Sequence, residues 1–122
     1  MKKVLVLENG TALSSLIKSL PGEEQFEIIL PQNGSKFKGD IPDLIVADLT
    51  SIKKEKVELL MQLKNNHITS LIPFLLIVSE NGKTVNEDFS LQNYYLNKPF
   101  TKESFQSLFK KILRHTDSLN PW

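Results

Sequence analysis

The feature that most constrains this chain is a set of short runs, apolar at nearly every position and each closed by a polar residue. Val4 to Leu7 stops at Glu8-Asn9-Gly10, Leu44 to Val46 leads through Ala47 to Asp48, and Phe74 to Val78 stops at Ser79. A strand with one wet face alternates apolar and polar residues, whereas a strand covered on both faces reads as a continuous apolar run. Phe26 to Leu30 is a further apolar run, and Tyr94 to Leu96 a short fifth one.

Between these runs the period changes. Leu13, Leu16, Ile17 and Leu20 fall on one face of a helix, with Asn9 or Thr11 as its cap and Pro21-Gly22 as its stop. Val57, Leu59, Leu60 and Leu63 mark a second helix from about Lys54 to Asn66. Phe105, Leu108, Phe109, Ile112 and Leu113 follow the i, i+3, i+4, i+7, i+8 pattern behind a Thr101 cap. Two intervals are less regular. Gln32 to Asp40 carries Gly34 and Gly39 around Phe37 and reads as a short or irregular helix. Asn81 to Asn93 holds Val85, Phe89 and Leu91 among Gly82, Thr84 and Asn86, and reads as a marginal helix.

Strands alternating with helices call for βαβ crossovers and a mostly parallel sheet covered on both faces. Five strands and up to five helices in 122 residues predict an α/β, flavodoxin-like, doubly wound five-stranded parallel sheet of the (βα)5 kind. The expected domain is 1–115, with 116–122 as a C-terminal tail in which Asn120-Pro121 cannot continue a helix.

Composition removes several function classes. The chain is 40% hydrophobic and 24% charged, as a folded soluble domain with one core would be. Fifteen basic and 14 acidic residues leave a net charge of +1, which gives no electrostatic footprint for a direct nucleic-acid or membrane partner. The absence of cysteine excludes disulfides, thiolate zinc sites and cysteine nucleophiles, and fits a cytoplasmic location. No segment is apolar for long enough to span a bilayer, and Glu8 interrupts the first apolar run too soon for a secretory signal. Glu8-Asn9-Gly10-Thr11 contains one glycine and neither a Gly-x-Gly-x-x-Gly nor a Walker pattern. A flavin- or nucleotide-binding enzyme is therefore poorly supported, and the expectation is a protein that is not an enzyme.

In open α/β sheets the functional crevice lies beyond the carboxyl ends of the strands. The residues there are Glu8-Asn9, Asp48, Ser79 and Lys98. Each alone is an ordinary polar strand end. Together, an acid–amide pair, an aspartate, a hydroxyl and a lysine share one sheet edge, which suits a carboxylate that receives a phosphoryl group. Asp48 is the candidate nucleophile, since aspartate carboxylates form acyl phosphates. Glu8 and Asn9 offer oxygens for magnesium, which takes one or two carboxylates, water and phosphoryl oxygens. Lys98 offers a point charge to the phosphoryl group and Ser79 a hydrogen bond.

Four segments, in this order, resemble the receiver domain of two-component response regulators. Lys3-Val4-Leu5-Val6-Leu7-Glu8-Asn9 resembles its opening, and Pro42-Asp43-Leu44-Ile45-Val46-Ala47-Asp48 resembles the segment that ends in the phosphorylated aspartate. Phe74 to Ser79 is similar to its fourth strand. Tyr95-Leu96-Asn97-Lys98-Pro99-Phe100 is the most specific match, with an aromatic three places before the lysine. The resemblance covers about residues 2 to 114. It implies Asp48 as the phosphoacceptor, and a histidine kinase or phosphotransfer protein as the donor. It also implies magnesium held by Glu8, Asn9, Asp48 and the backbone carbonyl of Thr50. Ser79 and Lys98 would bind the phosphoryl group, Ser79 and Tyr95 would act as the switch, and the Lys98–Pro99 bond would be cis. A downstream protein would dock on the 83–113 face, and the last element pair would support a homodimer.

This sequence departs from the family at Asn9, where a second acid usually binds the metal. Two carboxylates, Glu8 and Asp48, stand where typical receivers have three, so weakened magnesium binding is expected. Thr50-Ser51-Ile52-Lys53 replaces the family's Met-Pro, and Glu80-Asn81-Gly82-Lys83 the small residues after Ser79. Two functions therefore compete: a phosphorylation-operated switch, and a pseudo-receiver that binds proteins without being phosphorylated. His67 and His115, each at an expected helix end, suit the helix dipole better than catalysis. Lys53, Lys54 and Lys56, like Lys110 and Lys111, read as solvated faces.

Overall fold

The computed structural model describes residues 2–20, 26–31, 41–66, 68–79 and 93–119, those from 115 onward by their backbone alone. Every apolar run of the sequence lies in a strand: β1 (Lys2–Leu7), β2 (Phe26–Ile29), β3 (Leu44–Asp48), β4 (Phe74–Val78) and β5 (Asn93–Asn97). All four pairings are parallel, and the strand order is β2-β1-β3-β4-β5. The chain thus winds outward from β1 first to one side and then to the other, which is the flavodoxin-like, doubly wound arrangement.

Three helices are described: α1 (Ala12–Lys18), α2 (Lys54–Asn65) and α3 (Lys102–Leu119). A 3-10 turn, Thr69–Leu71, leads into β4. Among the described residues, no helix is long and apolar enough to cross a membrane.

The period of two along each strand divides the core into two layers. Val4, Val6, Leu44, Val46, Leu75 and Ile77 pack with Leu13 and Ile17 of α1 and with Phe105, Phe109, Ile112 and Leu113 of α3. The intervening residues, Leu5, Leu7, Ile45, Ala47, Phe74 and Leu76, pack with Leu59, Leu60 and Leu63 of α2. Both faces of the central strands are covered, so β3 and β4 are buried at every position. This burial explains the lack of alternation in those runs. At the edges, Phe26 of β2 meets the ring of Phe109 edge-on at 5.3 Å, and Phe109 stacks on Phe105 at 5.7 Å. Opposite, Lys64 of α2 lies over the Phe74 ring and donates to the Asn93 side chain, and burial lowers its ammonium to about 8.

Thr101 caps α3 as expected. Its hydroxyl accepts the Ser104 N–H at 3.0 Å, while the Ser104 hydroxyl accepts the Thr101 N–H at 3.1 Å. α3 continues to Leu119, past residue 115 where the sequence places the start of the tail. Pro121 restrains its own backbone and that of Asn120, leaving Thr116 to Leu119 free to extend the helix. His115 therefore lies inside α3, not at its end. His67 and the expected helix at 32–40 lie outside the described residues, as does the one at 81–93 apart from Asn93, which opens β5.

Candidate functional site

Strand register sets which side chains meet at the carboxyl edge of the sheet. Leu7 pairs with Ala47 and Val78 with Asn97, so one step further Glu8 adjoins Asp48 and Ser79 adjoins Lys98. All four are in phase with Val6, Val46, Ile77 and Leu96, which face α1 and α3. Glu8, Asp48, Ser79 and Lys98 are thereby gathered on one side of one edge.

Asp48 closes β3 and is 7% exposed. Its Oδ1 accepts two hydrogen bonds from Thr50, one from the backbone N–H at 3.0 Å and one from the hydroxyl at 2.6 Å. Its Oδ2 lies 2.9 Å from the Lys98 ammonium. Lys98 also donates to the Thr50 hydroxyl oxygen at 2.8 Å, so Asp48, Thr50 and Lys98 form a closed triangle. Burial alone would raise the Asp48 carboxyl. The bonds from the Thr50 hydroxyl, Lys98 and the Thr50 N–H, together with the Lys98 charge, outweigh burial and hold it below the usual aspartate value. Asp48 is therefore ionised at neutral pH, the state a nucleophile needs.

The backbone aims Lys98 at this point. Its N–H donates to the Val78 carbonyl at 2.9 Å, prolonging the β4–β5 ladder. The Lys98–Pro99 peptide bond is cis. Ser79 follows β4 and is half-buried, and Tyr95 on β5 is 42% exposed.

Glu8 has a role that the sequence reading missed. It is 6% exposed, and its two oxygens accept the N–H groups of Leu13 at 2.8 Å and Ser14 at 3.0 Å. The first turn of α1 has no acidic residue, and Thr11 at the cap position makes no side-chain cap bond. The carboxylate at the end of β1 therefore satisfies the orphan donors and faces the positive end of the helix. Thr11 holds the expected cap position and its carbonyl accepts the Ser15 N–H at 2.9 Å, but the side-chain bonds of a cap come from Glu8. Gly10 makes this possible with φ +107°, a conformation that turns the chain back over Glu8. An acid four residues before a helix with no acid of its own was the available signal. Asn9 is exposed, and its backbone N–H donates to the Ser51 hydroxyl at 3.3 Å, joining the loops that follow β1 and β3.

No protein-family model matches the chain. The transcriptional regulatory protein CpxR of Escherichia coli (strain K12) is 28% identical over 119 residues, which cover 95% of this chain and 51% of that protein. The chain spans about half the length of the curated relatives it matches. Among solved structures, the chemotaxis response regulator CheY4 of Vibrio cholerae aligns with a TM-score of 0.67 at 17% identity, over 92% of this chain and 98% of that one. The receiver domain of the sensor histidine kinase PA1611 from Pseudomonas aeruginosa PAO1, solved with a magnesium ion coordinated in its active-site cleft, gives 0.66 at 14% identity, over 92% and 97%. Its listed sequence relatives include response regulators and its structural neighbours include receiver domains, and the chain shares with those neighbours the flavodoxin-like fold.

Proposed function

We propose that this receiver accepts a phosphoryl group on Asp48 from a histidine kinase or phosphotransfer protein, and that the modification alters a protein-binding surface. The observation that carries the reading is the triangle at the sheet edge: an ionised, buried carboxylate with a lysine ammonium 2.9 Å away. An oxygen of Asp48 attacks phosphorus, and the bond from phosphorus to the donor imidazole nitrogen breaks. Its electron pair returns to the ring, and the product is an aspartyl phosphate. Lys98 balances charge on the phosphoryl oxygens, and Ser79, its neighbour in register, offers an O–H. Tyr95, now exposed, turns inward behind Ser79, which changes the 83–113 face offered to a downstream protein or a second copy.

The oxygen donors suit a hard divalent cation. Asp48, the Asn9 side chain and the Thr50 carbonyl would hold magnesium with water, with Glu8 contributing only a lone pair not used on α1. Among the described residues, no three histidine, cysteine, aspartate or glutamate side chains gather at one point. With Glu8 bonded to α1 and Asn9 in place of an acid, binding weaker than in a three-carboxylate pocket is the expected outcome. When bound, magnesium supplies charge neutralisation for phosphoryl transfer.

The hydrogen bonds of Glu8 to α1 favour a second reading, in which the chain is a pseudo-receiver that binds partners unmodified. Intact-mass analysis after incubation with acetyl phosphate and magnesium separates the two. Addition of one phosphoryl group to the parent, absent without magnesium and absent in Asp48→Ala, is the expected result. No addition over hours at high magnesium would leave the pseudo-receiver as the reading.

A further inference from the structure

Thr50 holds a place in the triangle that its position in the chain does not require. Its N–H alone would satisfy one lone pair of Asp48 Oδ1, yet its hydroxyl turns to the same oxygen. The direction of that bond is fixed by Lys98. An ammonium has donors and no acceptor, so the Thr50 oxygen accepts from Lys98 Nζ at 2.8 Å and its single proton goes to Asp48 Oδ1. Oδ1 then has both lone pairs occupied, while Oδ2 carries only the bond from Lys98.

Phosphoryl acceptance with a metal needs two open positions on one carboxylate, one for phosphorus and one for the cation. The triangle leaves one. We propose that the Thr50 hydroxyl is a positioning residue that acts as a brake: it locks Lys98 onto the acceptor and closes Oδ1 until it turns away. This rests on the reading of Asp48 as the acceptor. The hydroxyl can turn: Thr50 is exposed, and among the described residues its hydroxyl is held by Asp48 and Lys98 alone.

Thr50→Val keeps the branched shape and the backbone N–H while removing the hydroxyl. Thr50→Ser keeps the hydroxyl. Two readouts are taken on parent, Thr50→Val and Thr50→Ser: the rate of phosphoryl addition from acetyl phosphate by intact mass, and magnesium affinity by titration of backbone amide resonances. Thr50→Val is expected to bind magnesium and to be phosphorylated about threefold to tenfold more tightly and faster, the release of one modest hydrogen bond. Thr50→Ser returns both values toward the parent. If magnesium binding tightens in Thr50→Val while no variant is ever phosphorylated, the brake on Oδ1 stands and the acceptor reading falls. If the parent is phosphorylated and a folded Thr50→Val is no faster and binds magnesium no more tightly, the acceptor stands and the brake is wrong.

Discussion

Two carboxylates sit side by side at the ends of β1 and β3, and they are held in opposite ways. Glu8 and Asp48 are nearly equally buried, at 6% and 7% exposed, and they are adjacent in register. Glu8 is bound by two backbone N–H groups at the start of α1, donors that cannot leave without fraying the helix. Asp48 is bound mainly by the side chains of Thr50 and Lys98, which can rotate into solvent. One acid is therefore part of the frame, and the other is free to change partners. Burial and the charged group do not distinguish them; the kind of donor does.

The largest test of this contrast is stability. Glu8→Ala removes a charged acceptor and orphans two helix N–H groups, which is expected to cost about 2–3 kcal/mol. Glu8→Gln keeps one acceptor oxygen and falls between the two. Asp48→Asn is expected to stay within about 1 kcal/mol of the parent, because Lys98 and Thr50 then turn to water. Urea denaturation of the three variants against the parent measures all of this. A larger loss for Asp48→Asn than for Glu8→Ala would invert this contrast.

Acid titration gives a smaller effect with a defined sign. The folded-state pKa of Asp48 is depressed, so the unfolded chain binds more protons through the window below the ordinary aspartate value of about 3.9. The stability contributed by the triangle is complete above that value and is lost as pH falls through the lower folded-state pKa. The gap between parent and Asp48→Asn should therefore narrow below about pH 4, seen in thermal melts at stepped pH. A gap that stays constant down to pH 2 would mean that Thr50 and Lys98 do not favour the ionised form.

What the sequence disclosed follows the same division. The strands were legible because a parallel sheet covered on both faces leaves no position for a polar residue, as in Leu44 to Ala47. Asp48, Ser79 and Lys98 were legible as strand ends, since period two and register carry them to one edge. The Glu8 cap was hidden because it depends on a turn at Gly10 with positive φ, which no periodicity encodes, and Thr11 occupied the usual cap position. The side chain of Thr50 was hidden for a similar reason. Its hydroxyl acts across 48 residues of chain on Lys98, through contacts that only the folded sheet edge creates. The extension of α3 past 115 was hidden because a proline restricts only its own residue and the one before it, so Asn120-Pro121 sets no limit at Thr116.

The smallest expected effect probes whether the end of β1 can serve a cation at all once Glu8 is committed to α1. Asn9 is exposed, and its one described hydrogen bond uses the backbone, so Asn9→Asp adds a charge without disturbing the frame. Stability should change by no more than about 0.5 kcal/mol, as for other surface substitutions. Magnesium affinity should rise by about fivefold or more, the ~1 kcal/mol of one unit-charge pair some 4 Å apart in a water-like dielectric. Amide-resonance titration with magnesium, run beside the denaturation curves, reads both quantities on the same samples. Tighter binding at unchanged stability would show that the cation is reached from β1 through residue 9 while Glu8 stays on the helix. Unchanged affinity would mean that any cation at Asp48 is held without the first strand, and the two carboxylates would then be separate in function as well as in bonding.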